Sequence, residues 1–416
     1  VKILQFRTRD ETERRQQIDA VRRDLKHPRH AWDQDAGGWV KAPKPWPENV
    51  EAVLVRDPQY RYAIRYDAFV DQVQIDGQPL RDEDLTRIRL ELARAYELRV
   101  SLQIVSEVVR YVARERIPHV HPVRQYLEGL RWDGTPRLEQ WLVTYAGVED
   151  APIVRAIGRR FMIGAVARIL SPGCKLDTVL ILQGAQGAGK STLFRVLGGD
   201  YFRDDALDLR QKDAVISIRG TWIHELAELA STRSRDNETV KAFLTKTVDR
   251  YRPPYARCEV HQPRSVVFVG TTNEASFLGD PTGARRFWPA TVVHEIDLAA
   301  LAEDRDQLWA EAVEAYRDGE SWWLTAEESE MLRHAQERYR HVDPWAEPVA
   351  DWLARNPTND GHTLARILTD CLEKPKDQQR RGDEMRLGGV LTGLGWEKRR
   401  VQHGGSRQWR WFRAQA

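Results

Sequence analysis

The sequence predicts an α/β fold, with a three-layer core between a mainly helical N-terminal region and a small C-terminal domain. Three observations lead there. Two apolar runs bounded by turn signals, Thr178–Gln183 and Ser265–Gly270, suit strands buried on both faces of a parallel sheet. Between Leu176 and Tyr316 such runs alternate with helical stretches, the order that builds strand and helix layers. Outside this segment the apolar spacing is chiefly helical.

Taken in order, Glu11–Lys26 is charged and helical in pattern, and a linker rich in Pro, Trp and Gly follows from Gly37 to Pro47. Alternation over Tyr60–Gly77, closed by the Asp76-Gly77 turn, predicts short strands or a hairpin. From Asp82 to about Ala113 the period becomes helical, through Leu85, Ile88, Leu92, Leu102, Val105, Val109 and Val112. Further helices are expected at Val123–Leu130, Leu138–Tyr145 and Ile153–Leu170. In the core, the strand at Thr178 runs through a glycine-rich loop into a helix, and Trp222–Leu226 gives another short strand. Beyond Pro344, helices at Pro348–Arg355, Thr363–Leu372 and Asp383–Leu394 precede two short strands around Gly404-Gly405, the order of a winged helix. The expected divisions are residues 1–150, 151–343 and 344–416.

Composition narrows the classes. The 416 residues, 41% hydrophobic and 30% charged, are too many for one minimal core. Three scattered cysteines give neither a disulfide framework nor a cysteine zinc site, and suit a reducing cytoplasm. No apolar run approaches the roughly 20 residues of a membrane span, so no membrane partner is expected. Net charge is only +2, from 64 basic and 62 acidic residues, yet the charges are segregated. Lys241–Arg264 holds six basic residues against two acidic ones, and Glu373–Ala416 holds eleven against five.

The strongest motif is Gly184-Ala-Gln-Gly187-Ala188-Gly189-Lys190-Ser191-Thr192, which matches G-x4-G-K-[ST] between a strand and a helix. Glycines let backbone N–H groups turn inward around phosphates, and the helix N-terminus adds its positive end. Lys190 is expected on the β- and γ-phosphates and the Ser191 hydroxyl on Mg²⁺. Such a site needs an acidic strand end; Glu225 closes the Trp222–Leu226 run and is the first choice, with Glu228 one helical turn on. Asn273, at the end of the second apolar run, can place an amide beside the γ-phosphate or the attacking water. Arg285 and Arg286 form a pair suited to an arginine finger, which would act on a neighbouring copy. In the basic stretch, Lys241, Lys246, Arg250, Arg252 and Arg257 are interleaved with Tyr251 and Tyr255, a composition suited to tracking a phosphate backbone. His119 and His121 have no carboxylate or cysteine cluster and are read as packing or surface residues.

The chain resembles the virulence-associated protein E family of P-loop ATPases from phages, plasmids and genomic islands, relatives of superfamily 3 helicases and poxvirus-type primase-helicases. The resemblance rests on Trp132-Asp-Gly-Thr-Pro-Arg137, Ser171–Asp177, the glycine loop, Trp222–Leu229, Val240–Thr245, Asp249–Tyr255, Gly270–Asn273 and Thr282–Pro289. It implies an AAA+-like hexameric ring that moves along single-stranded and forked DNA using ATP and Mg²⁺, with Lys241–Arg257 near the central pore. A separate primase or replication initiator is a further expected partner. Many relatives carry a primase domain ahead of the helicase, but the first ~120 residues here are too short and too helical for one, so primer synthesis is not expected from this chain. Superfamily 3 proteins usually carry two adjacent acids at the strand end, whereas His224 precedes Glu225 here. Whether Glu225 or Glu228 polarises water is thus left open, as is which arginine is the finger. The expected activity is an ATP-dependent DNA helicase in mobile-element replication. The alternative is an ATP-switched, origin-binding initiator or regulator that does not unwind DNA.

Overall fold

The runs Thr178–Gln183 and Ser265–Gly270 have apolar residues at successive positions, so a strand built from either must be covered on both sides. The computed structural model, which describes residues 11–25, 28–33, 38–209, 211, 214–226, 234–252, 258–278, 284–339, 343–403 and 406–414, places both in one five-stranded parallel sheet. Its strands are β1 (Val179–Gln183), β2 (Phe202–Arg203), β3 (Ile223–Leu226), β4 (Val267–Thr272) and β5 (Phe287–Thr291), in the spatial order β5-β1-β4-β3-β2. Leu180, Leu182, Val267 and Val269 join a cluster with helices Pro152–Leu170, Lys190–Gly198 and Leu298–Arg317. On the other face Phe268 meets Phe243 of the helix Ser234–Leu244, ring centroids 5.7 Å apart. Helices therefore cover both faces. Indole N–H groups satisfy backbone oxygens inside this core: Trp222 donates to Ala165 O at 2.9 Å and Trp309 to Leu197 O at 3.2 Å.

A second apolar cluster, from Val21 to Ile117, builds the N-terminal region from the helices Glu11–Arg23, Pro47–Arg56, Asp82–Tyr96 and Leu102–Glu115 and the sheet Ile64–Asp67, Gln72–Ile75, Gln78–Pro79. Several local expectations shift. Part of the segment read as a Pro/Trp/Gly linker forms an antiparallel pair, Pro28–Asp33 with Gly38–Pro43. Alternation starts at Ile64, because Asp57 caps a short helix Pro58–Ala63 by accepting from Gln59 N at 3.0 Å. The long helical period after Asp82 breaks at Glu97, whose φ of 54° turns the chain before Leu102. The division at residue 150 is also not where the packing changes: Val123, Leu127, Leu138, Trp141 and Val148 already belong to the cluster under the parallel sheet. His119 Nε2 lies 2.6 Å from Arg114 O, and His121 caps the helix Pro122–Gly129 by accepting from Arg124 N.

The two clusters meet at the loop after Asp67. Asp71 pairs with Arg114 at 2.7 Å and with Arg219 at 2.6 Å, joining the N-terminal region to the core. Gly220 has a φ of +66°, and a Cβ there would stand 2.3 Å from Val70 Cγ1, so only glycine fits.

By chain contacts the molecule divides into two units, Val1–Ala275 with Asp280–Gln336, and Ser276–Gly279 with Glu337–Ala416. The second has its own core of Val349, Leu353, Ile367, Leu368, Leu387, Val390, Leu391 and Trp411. Its helices Ala346–Arg355, Leu364–Asp370 and Arg381–Gly393 are followed by the antiparallel strands Trp396–His403 and Ser406–Arg413. Gly404-Gly405 lies outside the described residues. No described helix is long and apolar enough to cross a membrane.

Where the chain enters β4, Arg264 is 1% exposed and holds the carboxylate of Asp249 in a fork, Nε–Oδ2 3.0 Å and Nη2–Oδ1 2.5 Å. It also donates to Phe243 O at 2.6 Å and stacks on that ring. Two of the charges counted in the basic stretch are thus one internal pair. Removing one partner of a buried pair leaves the other charge stranded. Asp249→Asn is expected to lower unfolding stability by about 3–5 kcal/mol, measured as a shift of the urea midpoint.

Candidate functional site

Parallel strands put all their C-terminal ends on one edge of the sheet, and the strongest motifs converge there. β1 ends at Gln183, opposite Thr272 of β4 and Thr291 of β5. The following loop is pinned at its start, Gly184 N donating to Thr272 O at 3.0 Å and Val292 N to Gln183 O at 2.8 Å. A Cβ on Gly184 would lie 3.1 Å from Val292 Cβ. Gly187 and Gly189 hold φ of +80° and +86°, conformations that L side chains avoid. The helix Lys190–Gly198 opens directly after Gly189. Ala188 is half-buried and Thr192 exposed beside this loop.

Lys190 is 8% exposed, and its Nζ donates back to Gly184 O at 2.9 Å and Ala185 O at 2.6 Å. Burial pushes its ammonium below the ordinary value, while Glu225 pulls it back up. Glu225, at 4% exposure near the end of β3, has two unlike oxygens. Oε1 accepts from Ser191 Oγ at 2.9 Å and from Thr271 Oγ1 at 2.5 Å. Oε2 is buried and without a hydrogen-bond partner. Such an atom is costly unless something else satisfies it. Thr271 is a site residue that sequence reasoning missed; the polar run Thr271-Thr272-Asn273 after an apolar strand is the signal that points to it. Asn273 is exposed just past the end of β4. Glu228 lies outside the described residues.

Arg285 and Arg286 lie at the other edge. They precede β5, whose first residue Phe287 is opposite Val179, the first of β1. A five-residue strand spans about 16 Å, so these arginines are that far from the glycine loop of the same chain. The structure also separates the pair. Arg286 Nε lies 3.1 Å from Oδ2 of the buried Asp177, an ion pair without good hydrogen-bond alignment, whereas Arg285 is exposed. At this same edge the strands Val248–Tyr251 and Val260–Pro263 form an antiparallel hairpin leading into β4. Lys246, Arg250 and Arg252 are exposed on or beside it. Lys241 differs from expectation: it is 8% exposed, inside the packing of its helix, and is no surface contact. Tyr255 and Arg257 lie outside the described residues.

The model of the virulence-associated protein E-like domain matches residues 127–341, more than half of the chain. This chain belongs to the virulence-associated protein E-like family. The match begins within the residues that start the core cluster and ends before the second unit's helices. No curated protein matches the chain. Among solved structures, two A-form apo structures of the NrS-1 C-terminal region are similar at 12% and 13% identity, with TM-scores of 0.46 and 0.41. A further apo structure of that region is 13% identical with a TM-score of 0.36, and each covers 85% of this chain and 96% of the other.

In this virulence-associated protein E-like chain, His224 directly precedes Glu225 on β3. It is 1% exposed, its Nε2 lies 3.2 Å from Asp205 O, and burial lowers its pKa to about 4. At neutral pH it adds no charge next to the carboxylate. Because the folded pKa is depressed below the ordinary histidine value, the unfolded chain binds the extra proton first, and stability falls as pH drops from about 6.5 towards 4. Wild type should lose about 2 kcal/mol more than His224→Phe between pH 7 and pH 5, read from urea unfolding at the two pH values.

Proposed function

We propose that this chain is an Mg²⁺-dependent ATPase that engages DNA in the replication of a mobile element, working as a ring in which each nucleotide is completed by a neighbouring copy. The observation that carries this reading is the Glu225 carboxylate. One oxygen is held by Ser191 and Thr271, and the other is buried and unsatisfied beside a glycine loop of positive-φ residues and a lysine. That donor set fits a divalent cation held between a carboxylate and a hydroxyl.

Ser191 and Glu225 would hold Mg²⁺, which neutralises charge across the transferring phosphoryl group. The loop amides would cradle phosphate oxygens, and Lys190 would exchange its two carbonyl partners for them. Asn273 projects from the same edge, where its amide can orient water. Glu228 remains a second candidate for that task. Arg285 is the better finger, because Arg286 is occupied by Asp177. Its position at the far edge favours action in trans and hence an oligomer, for which a hexamer is the proposed size. The exposed cations Lys246, Arg250 and Arg252 suit single-stranded or forked DNA.

ATP hydrolysis stimulated by single-stranded DNA is the expected activity, with Lys190→Ala reducing it about 10²-fold or more. Unwinding of a forked duplex would accompany it. Hydrolysis indifferent to DNA would reject the translocase, and tight duplex binding without unwinding would favour the initiator reading instead.

A further inference from the structure

In the second unit, the helix expected to read DNA is poorly equipped to do so. On Arg381–Gly393, Arg386 is tied to Asp343 through two contacts of 2.8 Å and lies over Trp345. Asp383 is held by Lys374 at 2.7 Å and caps the helix through Arg380 N. Arg381 and Glu384 are exposed in its first turn, and the later turns are small or neutral, through Gly388, Gly389, Thr392 and Gly393.

The hairpin that follows is arranged differently. Residues directly paired across an antiparallel ladder share a face, so Lys398, Arg400, Gln402, Arg407, Trp409 and Trp411 lie on one side. That side begins in the core, where Trp411 is 7% exposed, and ends in solvent, where Trp409 is 54% exposed. Trp409 contributes nothing to the unit's apolar cluster. Two cations lie over its ring, Lys398 Nζ at 4.8 Å and Arg400 at 5.8 Å from the centroid. On the opposite face Arg399 pairs with Glu397, and Arg410 donates to Asp360 O at 3.0 Å. Among the described residues no carboxylate is paired with Lys398 or Arg400. Because these cations have no carboxylate partner, a nucleic acid can draw them from the indole to its phosphates, which leaves a π-face for a base.

We propose that the outer part of this hairpin is a single-stranded DNA site, in which Trp409 stacks on an unpaired base and Lys398 and Arg400 hold the adjoining phosphates. Stacking of this kind requires no hydrolysis. Its test is therefore fluorescence anisotropy of labelled oligothymidylate with the full chain, without nucleotide.

Trp409→Ala should weaken binding about tenfold, the loss of one stacked base, while Trp409→Phe keeps most of the affinity. A blunt duplex should be insensitive to Trp409→Ala, since its bases are already stacked. Lys398→Ala with Arg400→Ala should flatten the salt dependence by about 0.7 for each phosphate that is no longer neutralised. A Trp409→Ala protein with wild-type circular dichroism and affinity within about twofold of wild type would overturn the proposal. Should that variant not fold, Arg400→Glu substitutes an exposed side chain. Unchanged oligothymidylate binding by it would overturn the proposal equally.

Discussion

Five strands running in one direction give the sheet two chemically different edges. Every strand's C-terminal end opens on one side, so the glycine loop after β1, Glu225 in β3 and Asn273 after β4 are brought together although up to 89 positions separate them in sequence. Every N-terminal end opens on the other side, which collects Asp177, Arg286, Arg285 and the hairpin leading to Arg264. Ligands of open parallel sheets bind beyond the C-terminal ends, where successive connections leave in opposite directions. The order β5-β1-β4-β3-β2 creates such a point at β1. On the proposed reading, each edge alone carries half of a phosphoryl-transfer apparatus.

The two edges are stabilised by different means. At the loop edge, polarity is left unfinished: Lys190 is held by its own loop carbonyls, and Glu225 keeps one oxygen unsatisfied. At the other edge, the buried arginines find partners inside the protein. Arg264 grips Asp249, Arg168 donates to Leu176 O and Arg264 O, and burial lowers the Arg168 pKa to about 10. An edge whose buried arginines are held internally is a suitable base for a hairpin that bears exposed cations. An unfinished edge is suited to a ligand.

Much of this was legible in sequence because it depends on local pattern. Continuous apolar runs specified β1 and β4, and the glycine spacing specified the loop, since positive φ is a local requirement. The failures share a cause: they turned on which residue meets which across the fold. Lys241 and Arg264 count as basic residues in the sequence, yet the packing buries both, one of them against Asp249. The Arg285-Arg286 pair looks uniform until Asp177, more than a hundred positions away, distinguishes its members. The break at Glu97 was masked because helical spacing resumes at Leu102, and Asp57 overrode an alternating pattern by capping a helix. In the expected recognition helix, Arg386 is engaged by Asp343 and Asp383 by Lys374, partners that lie outside its own stretch of sequence.

On the proposed reading, an arginine whose backbone lies about 16 Å from its own glycine loop acts on a neighbouring copy, so hydrolysis would depend on an assembly. The most direct measurement is the ATP turnover per chain as protein concentration is lowered through the range where sedimentation shows the assembly dissociating. Turnover per chain should collapse with the loss of assembly, and added single-stranded DNA should restore both together. Constant turnover per chain into the monomeric range would show that one copy suffices, and would contradict a nucleotide site completed by its neighbour.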